Sequence, residues 1–212
     1  MRETDRERER TINVEYKVSL LDAKSGKVLM EGKWMPSKSL VKNFMAFIYA
    51  NLRGGSYGAT NTGGSAVTIQ VCTSSPQTAT QLRADGGAGD SNKGIVVGKG
   101  STPVTNDDYA LEEQCVHGEG TDQLLHSATS WSGLDIEGDY VVATAERVFT
   151  NNSGAAITLN EIGMYAYAGY LRRAVDSFYS IGTIMILRDV ISALTVNHLQ
   201  AAGVQYKIKT KA

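Results

Sequence analysis

The chain has 212 residues and a mass of 22.8 kDa, room for one large domain, or one domain with appendages, whose core needs no staples. With 21 basic and 22 acidic residues the formal net charge is −1, so no global field draws in nucleic acid or a membrane surface. No stretch approaches about 18 uninterrupted apolar residues, which excludes a spanning helix, and two cysteines, Cys72 and Cys115, make no disulfide framework.

Residues 1–10, MRETDRERER, hold four arginines and four acids in near alternation. No apolar run resembling a signal peptide follows, so synthesis and folding in a cytoplasm are expected. The segment has too little apolar surface to dock on its own core. It reads either as a solvated tail or as an arm whose Arg2, Arg6, Arg8 and Arg10 meet carboxylates of a neighbouring subunit.

The period then becomes two. Ile12, Val14, Tyr16, Val18 and Leu20 alternate with polar residues, the turn residues Asp22–Gly26 follow, and Val28, Met30 and Trp34 return, which predicts a hairpin over 11–35. After Pro36 the period is helical. Leu40, Val41, Phe44, Met45, Phe47, Ile48 and Leu52 form a broad apolar face from Ser37 to Arg53, with Ser37 or Ser39 as cap and Gly54-Gly55 as stop. A helix so apolar packs on a sheet or on a partner chain, with Phe44 and Phe47 as candidate contacts.

Residues 54–100 hold eleven of the 22 glycines, and only AVTIQV (66–71) and GIVV (94–97) read as strands there. Long loops on a rigid scaffold are expected, with disorder as the competing reading for 54–65 and 83–93. Cys72 alternates with Thr68 and Gln70 and so falls on a polar strand face.

The stretch GIVVGKGSTPVTNDDYALEE (94–113) raises the question of a phosphate loop. Such a loop needs G-x-x-x-x-G-K-[ST]. Here three residues separate Gly94 from Gly98, Gly100 stands where the hydroxyl must be, and Pro103 forbids a helix opening at Ser101. The stretch reads as a strand running into a turn.

The C-terminal half is strand after strand. DYVVATAERVFT (139–150) and AAITL (155–159) flank the turn residues Asn151–Gly154, which predicts a hairpin. In AITLNEIGMYAY the apolar phase slips at Asn160–Glu161, predicting a bulge or a break. TIMIL (183–187) is apolar throughout and predicts a central strand covered on both faces. Val204, Tyr206 and Ile208 close the chain inward, with Gln205, Lys207, Lys209 and Lys211 outward as an edge strand would carry them. At least eight short strands with one helix predict a mainly β fold, a β-sandwich or jelly roll with an N-terminal amphipathic helix and glycine-rich loops.

Candidate chemistry is sparse. Cys115, His117, Glu119, Asp122 and His126 have metal-binding side chains in a spacing that matches no finger. No G-x-S-x-G occurs, and three histidines leave little choice of general base. Asp107-Asp108 and Glu112-Glu113 are adjacent acids in a polar loop. Three terminal lysines are too narrow a footprint for nucleic acid. Tyr165, Tyr167 and Tyr170, with Arg172 and Arg173, have the composition of a protein interface or of a stacking surface for bases or sugars. The sequon Asn151-Asn152-Ser153 is idle without secretion. No reaction, metal or cofactor is expected.

Three segments, IVVGKGSTPVTNDDYALEE, RVFTNNSGAAITLNEIGMY and ILRDVISALTVNHLQAAGVQYKIK, resemble, in that order, stretches of structural proteins of tailed bacteriophages. In that group a G-x-G-x-x-P-V-T-x-x-D-Y-x-L-E segment precedes F-T-N-N-S-G-A-x-I-T-x-N-E-I-G, and a pattern like L-x-R-D-V … V-T-V … V-x-Y-x-I closes the chain. SKSLVKNFMAFIYANL is similar to the group's N-terminal part. The similarity covers most of 11–210. One departure is Asn197–Gly203, where the group usually has N-P-G-Q, so the last loop is expected to differ.

The resemblance implies a virion component made in a host cytoplasm. It implies Ile95–Val97 as a strand, Gly98–Pro103 as its turn, and 107–111 as a docking segment anchored by Tyr109 and Leu111. Three functions are carried forward. The first is a non-enzymatic structural protein of the head, neck or tail, self-assembling into a symmetric ring or multimer and contacting other virion proteins. The second is a receptor- or glycan-binding fibre or spike module using the 54–93 loops and Tyr165–Tyr170. The third is a hydrolase using His117 or His126.

Overall fold

The structure, a computed structural model, describes residues 12–37, 39–53, 56–70, 78–172 and 177–211. It is mainly β, with antiparallel sheets and, among the described residues, one helix. The larger sheet is built on β1 (Asn13–Asp22), β10 (Tyr140–Thr150) and β13 (Gln200–Lys211). β13 lies in the middle, paired residue for residue with β1 from Asn13↔Lys209 to Asp22↔Gln200, and with β10 from Tyr140↔Lys211 to Thr150↔Ala201. β2 (Val28–Met30) and β3 (Met35–Pro36) flank β1, while β8 (Leu125–His126) and β9 (Ser130–Glu137) flank β10. The hairpin over 11–35 is present, its turn tied by Asp22 Oδ1, which accepts from the Ser25 amide at 2.8 Å and hydroxyl at 2.6 Å.

The second sheet has the order β12 (Ser177–Val196), β11 (Ile157–Arg172), β6 (Thr78–Arg83), with β7 (Gly94–Gly98) also on β11. β4 (Ser56–Thr60) and β5 (Ala66–Gln70) form a separate hairpin. The helix α1 (Lys42–Arg53) lies against β4, β5 and β12. Val14, Ala145, Phe149, Val204 and Tyr206 of the larger sheet share one apolar core with Ile95, Leu159, Ile162, Met164 and Ile184 of the second.

Several expectations need correction. The lysines of β13 do not protect an edge, because β13 is central. They are matched instead by acids on the outer face: Lys207 with Glu137 at 2.8 Å, Lys209 with Glu15, and Lys211 with Asp139 at 3.9 Å. TIMIL is covered on both faces, Ile184–Leu187 being buried, but β12 stands at the edge of its sheet. Its outer backbone groups are met by other segments: the Val41 amide donates to Ile186 O, and the Thr62 amide to Thr183 O. The helix starts at Lys42 because the hydroxyls of Ser37 and Ser39 donate to the Asp189 carboxylate, at 2.8 and 3.1 Å, rather than capping a turn.

Asn151–Gly154 is not a hairpin turn but a corner, since β10 and β11 belong to different sheets. Asn151, fully buried, holds it. Its Nδ2 donates to the carbonyls of Ala155 and Val196 at 2.7 Å each, and its backbone exchanges hydrogen bonds with Leu199 and Gln200 in the other crossing, β12 to β13. The phase slip at Asn160–Glu161 is a register shift in the β11–β12 pairing. The strand expected at AVTIQV is present as β5, but the stretch before it, 56–65, expected as loop or disorder, is β4 and the turn of the β4–β5 hairpin, closed by Asn61 Oδ1 accepting from the amides of Gly63 and Ser65.

Candidate functional site

The loop 98–113 folds onto the second sheet around a carboxylate. Glu161, wholly buried on β11, accepts four hydrogen bonds. Oε1 takes the amides of Gly100 (3.1 Å) and Glu113 (2.8 Å), and Oε2 takes the Glu112 amide (3.1 Å) and Arg188 Nε (2.9 Å). Arg188, on the neighbouring β12, reaches onward to Asp108 Oδ2 at 2.7 Å and to the Thr102 carbonyl and hydroxyl at 3.3 Å. Each charge therefore faces a partner, the condition for burying it at tolerable cost. Glu112 closes the turn by accepting from the Ser101 and Thr102 amides at 2.8 and 2.9 Å and from the Thr102 hydroxyl, bonds that hold its carboxyl below the usual range. Burial opposes ionisation of Asp108, but hydrogen bonds from Thr105 and Arg188 outweigh it and lower its pKa.

The glycines of this loop have the same cause. A Cβ at Gly98 would stand 2.5 Å from Glu161 Oε1 and 2.6 Å from the Glu113 carbonyl, and one at Gly100 would stand 2.6 Å from Glu161 Oε1. As in a phosphate loop, glycine lets backbone amides close on an anion. The anion here belongs to the chain itself. Of the two expected anchors, Leu111 is buried and its amide donates to the Tyr165 hydroxyl at 2.7 Å, whereas Tyr109 is exposed.

Asp189 follows Arg188 and serves other elements. It accepts from Ser37 and Ser39 ahead of α1 and, at 3.1 Å, from the Tyr206 hydroxyl of the larger sheet. Burial and the Asp189 charge push the Tyr206 phenol well above its ordinary pKa. The adjacent pair thus ties the loop, the approach to the helix and both sheets to one strand.

A second hub orders the glycine-rich loop 84–94. Arg147, buried on β10, spends all five N–H donors on carbonyls: Nε on Ser127 (2.8 Å), Nη1 on Lys93 (2.9 Å) and Ile95 (2.8 Å), Nη2 on Gly87 (3.0 Å) and Asp90 (2.6 Å). This corrects the disorder reading for 83–93. Beside it His126 is buried against the Phe149 and His117 rings, and among the described residues neither of its ring nitrogens has a hydrogen-bond partner. Burial first, then the Arg147 charge, lowers its pKa to about 4.

Among the described residues no three metal-binding side chains come together. Cys115 lies in the core, where burial pushes its thiol to about 12. Asp122 and Glu113 share Lys99, at 2.7 Å each, and Glu119 accepts from Asn152.

The expected interface residues scatter. Tyr165 is corrected: it is 2% exposed and holds the loop from inside. Phe44 and Phe47 are half-buried against the core, as a helix packed on a sheet requires, and Tyr167 is half-buried on β11. Tyr170 and Arg172 lie in β11 opposite Tyr179 and Ser177. Arg2, Arg6, Arg8, Arg10, Cys72 and Arg173 lie outside the described residues. Glu161, Arg188, Asp189 and Arg147 escaped the sequence reading. Their signal is a charge standing inside a strand's apolar phase. No family model, curated protein or solved structure matches the chain.

Proposed function

We propose that the chain is a non-enzymatic structural component of a tailed-phage-like virus particle, a virion protein that self-assembles into a symmetric ring or multimer and contacts other structural proteins of the head, neck or tail. The finer architecture belongs to the same reading: a sandwich of jelly-roll type, whose two larger sheets contribute to one core.

The observation that carries the proposal is the use made of the buried charges. Glu161 gives both oxygens, and Arg188 and Arg147 their donors, to backbone and side chains of the same chain. Groups committed in this way fix loop geometry, and none of these three is free to act as base or nucleophile on a substrate. The three segments that resemble phage structural proteins also meet at this cluster: Gly98–Glu113 from the first, Glu161 from the second, Arg188 from the third. A pattern spread over some ninety residues that closes on one buried network has the character of a scaffold signature.

The test is light scattering with negative-stain electron microscopy on the purified chain. A discrete multimer of cyclic symmetry is expected at micromolar concentration. A 22.8 kDa monomer at every concentration, together with absence of the chain from purified particles, overturns the proposal.

A further inference from the structure

His126 occupies a place suited to an apolar ring. It is 3% exposed on β8, opposite Phe149 of β10, and stands edge-to-face with the Phe149 ring at 5.0 Å and with the His117 ring at 5.6 Å. A neutral imidazole carries one donor and one acceptor, and among the described residues neither is met. A phenylalanine would pack between these rings and leave no polar atom unpaired. What histidine adds here is a place for a proton.

The surroundings resist that proton. Burial opposes it first and the Arg147 charge on β10 second, with His117 adding to them; the carbonyls of Asp90 in the loop 84–94 and of Cys115 favour it and are outweighed. The Asp90 carboxylate is itself 3.7 Å from Lys93. His117 completes the closure. Its Nδ1 accepts the His126 amide at 3.0 Å, which it can do only while neutral, since an imidazolium donates from both nitrogens. The loop is fastened over the two rings at three points: the Gly89 amide donates to the His126 carbonyl at 3.0 Å, the His117 amide to Ser91 Oγ at 2.7 Å, and the Thr129 amide to the Gly86 carbonyl at 2.7 Å. Gly89 lies so near that a Cβ there would stand 3.4 Å from His117 Nε2.

We infer that His117 and His126 form an acid-sensitive latch on the loop 84–94, closed while both rings are neutral and released when they take up protons. Lifting the loop brings His126 to water, where it binds the proton that the closed form resists, and a proton on His117 Nδ1 removes its bond to β8. The release is local: the Glu161 network that holds 98–113 contains no histidine. The latch is independent of the assembly proposed above.

The experiment is hydrogen exchange on the full chain between about pH 7 and about pH 4, corrected for the intrinsic pH dependence of amide exchange. The opening constant at the Gly89, His126 and Thr129 amides is expected to rise below about pH 6.5, approaching tenfold per pH unit for the one proton that His126 takes up, while the Gly100 and Glu113 amides stay level. His126→Phe is expected to remove most of this slope. His117→Asn, which offers an oxygen acceptor that takes no proton, is expected to remove part of it. Should His126→Phe fail to fold by circular dichroism, an NMR titration of the wild-type His126 ring replaces it, with the ring expected to stay neutral well below pH 6.5 as long as the loop amides are protected. A level opening constant in the wild type, an unchanged slope in folded His126→Phe, an equal slope at Gly100 and Glu113, or a His126 ring that charges near pH 6.5 with the loop still protected overturns the latch.

Discussion

Replacing Glu161 with Gln keeps the shape of the side chain and changes only its chemistry. The carboxylate receives four hydrogen bonds, all from donors: three backbone amides and Arg188 Nε. An amide offers one accepting oxygen and a second terminus that is itself a donor, so whichever way Gln is turned, two of the four donors face an N–H. Arg188 keeps Asp108 but loses its fully buried counter-charge. Breaking a buried pair on one side costs about 3–5 kcal/mol, which for a domain of this size lowers the melting temperature by about 6–20 °C. Asp108→Asn, at a less buried partner, is expected to cost less. Urea and thermal unfolding of both variants checks the ranking, and hydrogen exchange at the Gly100, Glu112 and Glu113 amides checks the mechanism, since these should open before the rest of the sheet. A Glu161→Gln chain that melts within about 2 °C of the wild type, with those amides still protected, would refute the reasoning.

Arg147→Lys should destabilise the chain by several kcal/mol, because an ammonium has three donors for five carbonyls and leaves some buried and unmet; faster exchange in 84–94 is the local readout. Stability should fall as pH drops from about 6.5 to about 4, where the folded His126 still resists the proton that the unfolded chain accepts; the loss totals about 3 kcal/mol and levels off below that window, and His126→Phe should flatten it. The pKa values of Asp108 and Glu112 are lowered as well, so the sign is the same as for His126 and only the window differs: their contribution is present above about 4 and is lost at lower pH. Cys115 should resist alkylation in the folded chain at neutral pH and react at the rate of unfolding, read by mass spectrometry under denaturant titration.

What the sequence made legible was periodicity. The alternation of 12–20 fixes which face of β1 joins the core, and the slip at Asn160–Glu161 marks a true irregularity of register. Periodicity identifies a strand without saying which strand lies beside it. Asn151–Gly154 has the residues of a hairpin turn, and the same preference for bent, side-chain-bonded backbone serves a corner between sheets equally well. The lysines of β13 have the pattern of an edge, yet a central strand tolerates them when each column of the outer face offers an acid, as Glu137, Glu15 and Asp139 do. Neighbour identity is a property of long-range pairing, and no local pattern carries it.

The buried charges were illegible for a different reason. Arg147 stands between Ala145 and Phe149 in the inward phase of β10, and Glu161 stands beside a phase slip. A local reading takes either as a polar interruption and assigns it to solvent. Their inward placement becomes favourable only through partners 20 to 61 residues away, the carbonyls of 87–95 and 127 for Arg147, and the amides of 100–113 with Arg188 for Glu161. In both cases the partner is a glycine-rich loop with little apolar surface of its own. Such a loop cannot hold a fixed shape by burial, because glycine loses much backbone freedom on ordering and returns no side-chain contact. A charged side chain inside the scaffold, supplying several strong hydrogen bonds from one point, offsets that entropy where an apolar contact could not. The glycine content and the misplaced charges are therefore one feature: the loops are glycine-rich so that their backbones can reach Glu161 and Arg147, and those two residues are buried because the loops come to them.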